Sequence, residues 1–215
     1  KMSKSLGNFI VVRDLLEAGH EPAAIRHLLL SAQYRSELNF TMEGLEASGR
    51  AVQRLLDFEA RIEEVPVATD APTAGLAELA TTALEAFRDG MDDDLNTADA
   101  LAALFVLVGQ GNAALDRAGP VPPAEREAIQ KVLASIDRVL GLVEVAGASR
   151  TLDPGTITRV DQMVEERRAA RSVRDFARAD AIRRELLERG IVLEDSANGT
   201  RWKVVGRVEG TVSHG

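Results

Sequence analysis

The sequence predicts a mainly α fold that ends in a small α+β unit. Three observations carry this expectation. Ala, Leu, Arg and Glu dominate the 215 residues, and only 4% of residues are aromatic; the straight-chain side chains lose little rotamer freedom in a helix. Apolar residues recur at helical spacing along most of the chain. Only near the C-terminus do two short runs, IVLED and TRWKVV around a turn-like SANG, read as strands.

The elements follow in order. FIVV, after a polar opening, is a short apolar run that predicts a strand. VVRDLLEAG has helical spacing and stops at Gly19. EPAAIRHLLLSAQ carries Pro22 in its first turn and apolar Ile25, Leu28 and Leu29, which predicts a second helix. YRSELNF is a connector. Thr41 can cap a long helix reaching about Ile62, with Leu45, Val52, Leu55, Leu56 and Phe58 mainly on one face. VPVATDAPTAG reads as a linker. A helix from about Gly75 to Asp89 should break at Gly90-Met91-Asp92-Asp93-Asp94, and Asn96 or Thr97 should cap the next, with Asp99 in its first turn. GPVPP is a second break before an amphipathic helix on Ile129, Val132, Leu133, Ile136 and Leu140. Residues 75–143 thus predict a small antiparallel helical bundle. VAGASRTLDPG reads as a third linker. A helix from Asp153 or Pro154 to Ser172, then one capped by Asp175 and ending at Gly190, precede the strands.

Composition narrows the function. There is no cysteine, which excludes disulfides and thiolate zinc sites built from this chain. His20, His27 and His214 are too widely spaced for a metal site. The longest apolar stretch, ALAALFVLVGQG, is shorter than the roughly 20 residues a membrane span needs and reads as a buried helix. With no signal peptide at the start, the expectation is a soluble, cytoplasmic protein with no membrane partner. The net charge of −8 is unevenly spread: residues 1–64 carry 8 basic and 10 acidic groups, residues 65–158 carry 6 and 14, and residues 159–215 carry 12 and 10. The C-terminal part is the arginine-rich one, and a locally basic face can bind phosphates on an acidic molecule.

Two motifs carry chemistry. The chain opens on KMSKSLGN, residues 1–8. Lys1 and Lys4, with Ser3 and Ser5, make a donor-rich loop, and a lysine ammonium can follow charge developing on a transferring phosphate. The spacing alone is common among surface lysines. Residues 159–189 place nine arginines on two helices, interleaved with Glu165, Glu166, Asp175, Asp180, Glu185 and Glu188. By themselves these are solvated faces with i,i+4 ion pairs. Yet Arg171, Phe176, Asp180, Asp195 and Trp202 supply a phosphate-binding cation, stacking faces and edge-reading carboxylates within 32 residues, the set that single-stranded RNA recognition uses. Trp202 fits the core of the β element equally well. Asp92-Asp93-Asp94 lacks the ligand spacing of a calcium loop and is better read as helix capping. Arg35 and Asn39 can either meet RNA or tie their connector to the preceding helix.

KMSKSLGN is the signature loop of class I aminoacyl-tRNA synthetases, and the rest of the chain resembles one family of them, the cysteinyl-tRNA synthetases. The resemblance runs through FIVVRDLLEAG…AIRHLLLSAQYRSELNF, MDDDLNTADALAALF and ARSVRDFARADAIRRELLERGIVLEDSANGTRW, and covers residues 1 to about 205. It implies stem-contact helices after the KMSKS loop (residues 1–64), an antiparallel helical bundle of DALR type (residues 73–146) and a small α+β anticodon-binding unit (residues 153–208). It implies ATP, with Mg²⁺, at a loop in which Lys4 contacts ATP and stabilises the leaving pyrophosphate. Lys1 supports Lys4, and Met2, Ser3 and Ser5 belong to the same mobile segment. Gly7 would let the backbone turn and Asn8 would fix the exit of the loop.

The implied partners are tRNA(Cys), ATP and cysteine, acting on a monomer. Arg171, Phe176, Asp180 and Asp195 match positions at the anticodon. The family often has Trp where Phe176 stands; Phe keeps a stacking face and loses the indole donor. The family also needs a HIGH-type motif, for which His20-Glu21-Pro22 is no substitute, and a zinc site with cysteine ligands, expected only in an N-terminal part absent from this chain. The chain alone is therefore expected to be inactive, and its start without an initiator methionine suggests a C-terminal portion. Two other readings stand beside this one: an ATP-dependent cysteine ligase of the mycothiol pathway, and a free-standing helical RNA-binding module. The anticodon-like end argues against the first.

Overall fold

The computed structural model describes residues 10–150, 152–196 and 199–204. Lys1, Met2, Ser3, Lys4, Ser5, Gly7 and Asn8 lie outside the described residues. The described chain holds helices α1 (Val12–Glu17), α2 (Pro22–Leu30), α3 (Met42–Glu64), α4 (Leu76–Asp92), α5 (Thr97–Arg117), α6 (Pro123–Leu140), α7 (Leu142–Arg150), α8 (Pro154–Ser172) and α9 (Phe176–Glu188), then strands β1 (Ile191–Ser196) and β2 (Gly199–Val204). The fold is mainly α, as the composition predicts. Residues 23–144 form one compact unit; the described residues of 10–22 and 145–204 are grouped in the other.

In the first unit, the Thr41 hydroxyl caps α3 by accepting from the Gly44 N–H at 3.0 Å. Leu55, Phe58 and Ile62 of α3 share one core with Leu76, Ala80 and Phe87 of α4, Leu101, Leu104 and Leu107 of α5, and Ile129, Ile136 and Leu140 of α6. Helix α5 is 21 residues long and apolar enough to span a membrane by composition, but eight of its residues are buried, as a bundle core requires.

Several local expectations need correction. Ile10–Val12 does not form a strand. Val11 is extended but serves as the N-cap of α1, its N–H donating to the Asp14 carboxylate at 3.1 Å, and Val12 is already helical. All three residues are exposed, and no strand pairs with them among the described residues. Gly90, Met91 and Asp92 do not break α4 but complete it. Gly90 sits where α4 meets α5 most closely: a Cβ there would lie 2.9 Å from the Ala100 backbone nitrogen. The chain then turns through Asp94 and Leu95, both left-handed (φ 52° and 55°), a conformation that is costly for residues with a Cβ. Asp94 is anchored in compensation, accepting from the Tyr34 hydroxyl at 3.0 Å and pairing with Arg35 at 3.2 Å. Asn96 caps α5. Asp92, Asp93 and Asp94 thus serve a helix end, a cap and a tether, and no metal-holding group of three acidic, His or Cys side chains exists among the described residues.

Two expected linkers are ordered. Residues 65–75 are pinned through a parallel bridge between Val67 and Val121 and through Glu125 on α6. This buried carboxylate accepts from the Thr73 hydroxyl and from the N–H groups of Ala74, Gly75 and Leu76. Burial alone would raise its pKa; the hydrogen bonds outweigh burial and lower it. Residues 145–150 are helical, part of α7. Gly141, left-handed at φ 60°, ends α6, and the Asp137 carboxylate accepts from the N–H groups of Leu142, Val143 and Glu144 at 2.7–2.9 Å. Asp137 therefore caps the following helix from the last turn of α6.

Candidate nucleic-acid interface

The arginine-rich end is built by local capping and one small core. Asp153 opens α8, accepting from the Gly155 and Thr156 N–H groups at 2.9 and 3.1 Å. Asp175 opens α9 by accepting from Arg178 N–H at 3.0 Å. Between them Arg174 is left-handed (φ 63°), so the chain reverses in three residues and α9 returns along α8. The Arg178–Glu166 ion pair, 2.5 Å at its shortest, ties the two helices together. Leu152, Val160, Ile182, Leu186, Ile191 and Leu193 form the core, with Met163, Val164, Trp202 and Val204 packed on it.

Strand alternation explains where Asp195 points. Ile191 and Leu193 are buried on one face of β1, and a period of two puts Asp195 next on that face. On α8, Val160, Arg167 and Ala170 are the buried positions. A carboxylate on the core face of the strand therefore meets a guanidinium on the core stripe of the helix. Arg167 Nη1 and Nη2 donate to the two Asp195 oxygens at 2.9 and 2.8 Å. Arg171, one turn on, donates at 3.0 Å. The hydroxyl of Thr200, paired with Asp195 in the β1–β2 register, donates at 2.7 Å. The Asp195 carboxyl is held far below the usual carboxylate range, first by the Arg167 hydrogen bonds, then by that from Thr200, with the charges of Arg167 and Arg171 adding to them against burial.

The other expected residues lie on α9 and β2. Phe176 begins α9 and is 60% exposed, beside Val173 at 75%. Asp180 lies four residues after Phe176, hence on the same helix face, and is exposed. It has no ion pair among the described residues. Trp202 is half-buried against the core, and its indole N–H donates to Asp161 at 2.9 Å. Trp202, Thr200, Asp161, Val164 and Glu165 line an open groove beside the cluster. Sequence reasoning missed Arg167 and Thr200 as partners of Asp195. The signal for Arg167 was its place in the buried stripe of α8, between Val160 and Ala170.

The α8–α9 turn thus carries an exposed aromatic ring, Phe176, and follows an exposed cation, Arg171, that is paired with Asp195 on β1, groups of the kinds that meet unstacked bases and phosphates. No such account can be given for zinc. With no cysteine in the chain, the thiolate ligands of a structural or substrate-selecting zinc site are missing, so no zinc site is placed here.

Three family models match parts of the chain. Residues 1–50 match the family model "tRNA synthetases class I (C) catalytic domain", residues 86–144 the "DALR domain", and residues 153–202 the "Cysteinyl-tRNA ligase anticodon binding domain". A cysteine–tRNA ligase of Solibacter usitatus is 43% identical over 203 residues, covering 94% of this chain and 42% of the relative. That of Leptospira interrogans (strain 56601) is 41% identical over 208 residues, with 94% and 42% covered. That of Chlamydia felis is 39% identical over 203 residues, with 94% and 41% covered. The chain thus spans well under half the length of these relatives. With three family models matched along the chain and cysteine–tRNA ligases about 40% identical over 94% of it, the chain belongs to the cysteinyl-tRNA ligase family.

Proposed function

We propose that this chain supplies the ATP loop and the tRNA-binding part of a cysteine–tRNA ligase. The observation that carries this reading is the pairing of the exposed Arg171 with Asp195, together with an exposed Phe176 five residues on, within the stretch that matches an anticodon-binding model. The reaction joins the carboxylate of cysteine to the α-phosphate of ATP, releasing pyrophosphate, and then moves the cysteinyl group to the 3′ end of tRNA(Cys). Lys4, supported by Lys1, holds the phosphates and stabilises the negative charge that grows on pyrophosphate as it leaves. Met2, Ser3 and Ser5 form the rest of that loop. Mg²⁺ accompanies ATP. At the other end, Phe176 stacks on an unstacked anticodon base, Arg171 meets phosphates and acceptor edges, and Asp180 accepts from base-edge donors, while Asp195 acts on the anticodon by holding Arg171. Trp202 borders the same surface. Activation needs residues beyond this chain, so the chain alone binds tRNA without aminoacylating it, and it does so as a cytoplasmic monomer.

Lys4→Ala in the complete protein is expected to slow adenylate formation, read by pyrophosphate exchange, by roughly a hundredfold or more, the scale of losing one preorganised charge-stabilising donor. tRNA affinity should stay within about twofold, since the loop acts on ATP. An unchanged exchange rate removes Lys4 from the chemistry.

A further inference from the structure

We propose that Arg167, which is buried and touches no RNA, is a positioning residue that sets anticodon discrimination by fixing Asp195 and, through it, Arg171. The inference rests on the anticodon reading above.

The Arg167 side chain is 6% exposed, whereas Asp195 and Arg171 are 41% and 51% exposed. Its fork takes one site on each carboxylate oxygen; Thr200 takes the second site on one and Arg171 the second on the other. A carboxylate offers about four acceptor sites, so Asp195 is filled from within the protein. It cannot rotate without breaking a bidentate pair, and that pair has a fixed planar geometry.

Arg171 is held by one N–H, which leaves about four of the five guanidinium donors unoccupied by this pair. Besides Asp195, the charge of Asp180 also acts on Arg167, and the exposed cation of the group is Arg171. The fork of Arg171 is thus presented to solvent in a set orientation near the α8–α9 turn that carries Phe176. That is what reading an acceptor edge of an unstacked cytosine or guanine requires: donors fixed in direction, next to a stacking face.

Stability alone does not account for the pair. A buried ion pair is commonly no better than a well-packed apolar pair, and here the Arg167 Nε is buried without a partner among the described residues, which is itself unfavourable. Orientation of Asp195 and Arg171 is the task that an apolar substitute could not perform.

The test measures the affinity of the 215-residue chain, at one stated salt concentration, for tRNA with the cysteine anticodon and for the same tRNA with one anticodon base changed. The unchanged chain and Arg167→Lys are compared, with melting of each followed in parallel. Lysine keeps the charge and most of the bulk but lacks the fork. The expected result is a cognate affinity reduced by about tenfold, the discrimination carried by an oriented bidentate donor, with the changed tRNA affected by less than about twofold. Equal weakening towards both tRNAs, or a preserved ratio, overturns the proposal.

If Arg167→Lys does not fold, Thr200→Val decides. It removes one constraint on Asp195 without stranding a charge, and the cognate preference should fall by roughly threefold, the share of one neutral hydrogen bond; an unchanged preference overturns the proposal. Equal affinity of the unchanged chain for both tRNAs overturns the anticodon reading and this inference with it. Discrimination that survives the substitutions overturns the inference alone.

Discussion

Asp195→Ala is expected to lower the stability of the C-terminal unit by about 2 kcal/mol and to move its melting well below that of the unchanged chain. Removing one partner of a fully buried ion pair costs about 3–5 kcal/mol, because the other charge stays behind in a poor solvent. Asp195 is 41% exposed, so water reaches part of the site and the figure is reduced. The loss still matters, since a unit of roughly sixty residues holds only about 3–9 kcal/mol in all. Trp202 is the only tryptophan and packs on this core, so its fluorescence reports this unit and not the helical bundle. Arg167→Met combined with Asp195→Leu should recover most of the loss, because it removes the stranded cation. Failure to recover would mean that the loss comes from packing and not from charge.

The same pair sets an acid response. The Asp195 carboxyl is depressed in the folded chain by its Arg167 and Thr200 hydrogen bonds. A depressed group contributes stability that is present above its unfolded pKa, about 3.9, and lost as pH falls through the folded value. Acid should therefore weaken the Trp202 signal progressively below about pH 4, and the Asp195→Ala chain should lack that part of the decline.

Phe176→Ala is expected to weaken cognate tRNA binding by a factor of roughly five to 150, the range for one lost base–aromatic stack of about 1–3 kcal/mol. Phe176 is 60% exposed and lies outside the core, so the melting of Trp202 should hardly move. Phe176→Trp should restore binding or improve it, since it enlarges the stacking face and adds an N–H donor. The contrast between the two sites is physical. Asp195 is a structural carboxylate whose loss appears in melting, whereas Phe176 is an exposed ring whose loss appears only when RNA is added. A fall in melting on Phe176→Ala comparable to that on Asp195→Ala would contradict this assignment.

What was legible in the sequence was what is local. Thr41, Asn96, Asp153 and Asp175 cap the helices they precede, because an N-cap acts on residues two or three positions on. IVLED and TRWKVV read as strands around a turn-like SANG, and β1 and β2 pair antiparallel with Asp195 opposite Thr200. What was not legible depended on partners distant in sequence or on unusual geometry. Residues 65–75 have linker composition, yet Glu125 on α6 supplies the acceptors that order them. The start of α7 has no capping residue of its own, since Asp137 reaches it across Gly141. Gly90 looked like a breaker because its need for close approach to Ala100 exists only in the packed pair. At the candidate site the exposed residues stood out by type, but Arg167 was one arginine among nine until the strand face and the helix stripe were brought together.

The central claim is that this C-terminal turn reads an anticodon. Titrating labelled cysteine tRNA, and the same tRNA with its anticodon changed, into the unmodified chain at fixed salt tests it most directly, since phosphate contacts alone are blind to base sequence and fall with ionic strength. The account predicts tighter binding of the cysteine tRNA by about tenfold or more, the discrimination expected of oriented base contacts. Equal affinity for the two would contradict it.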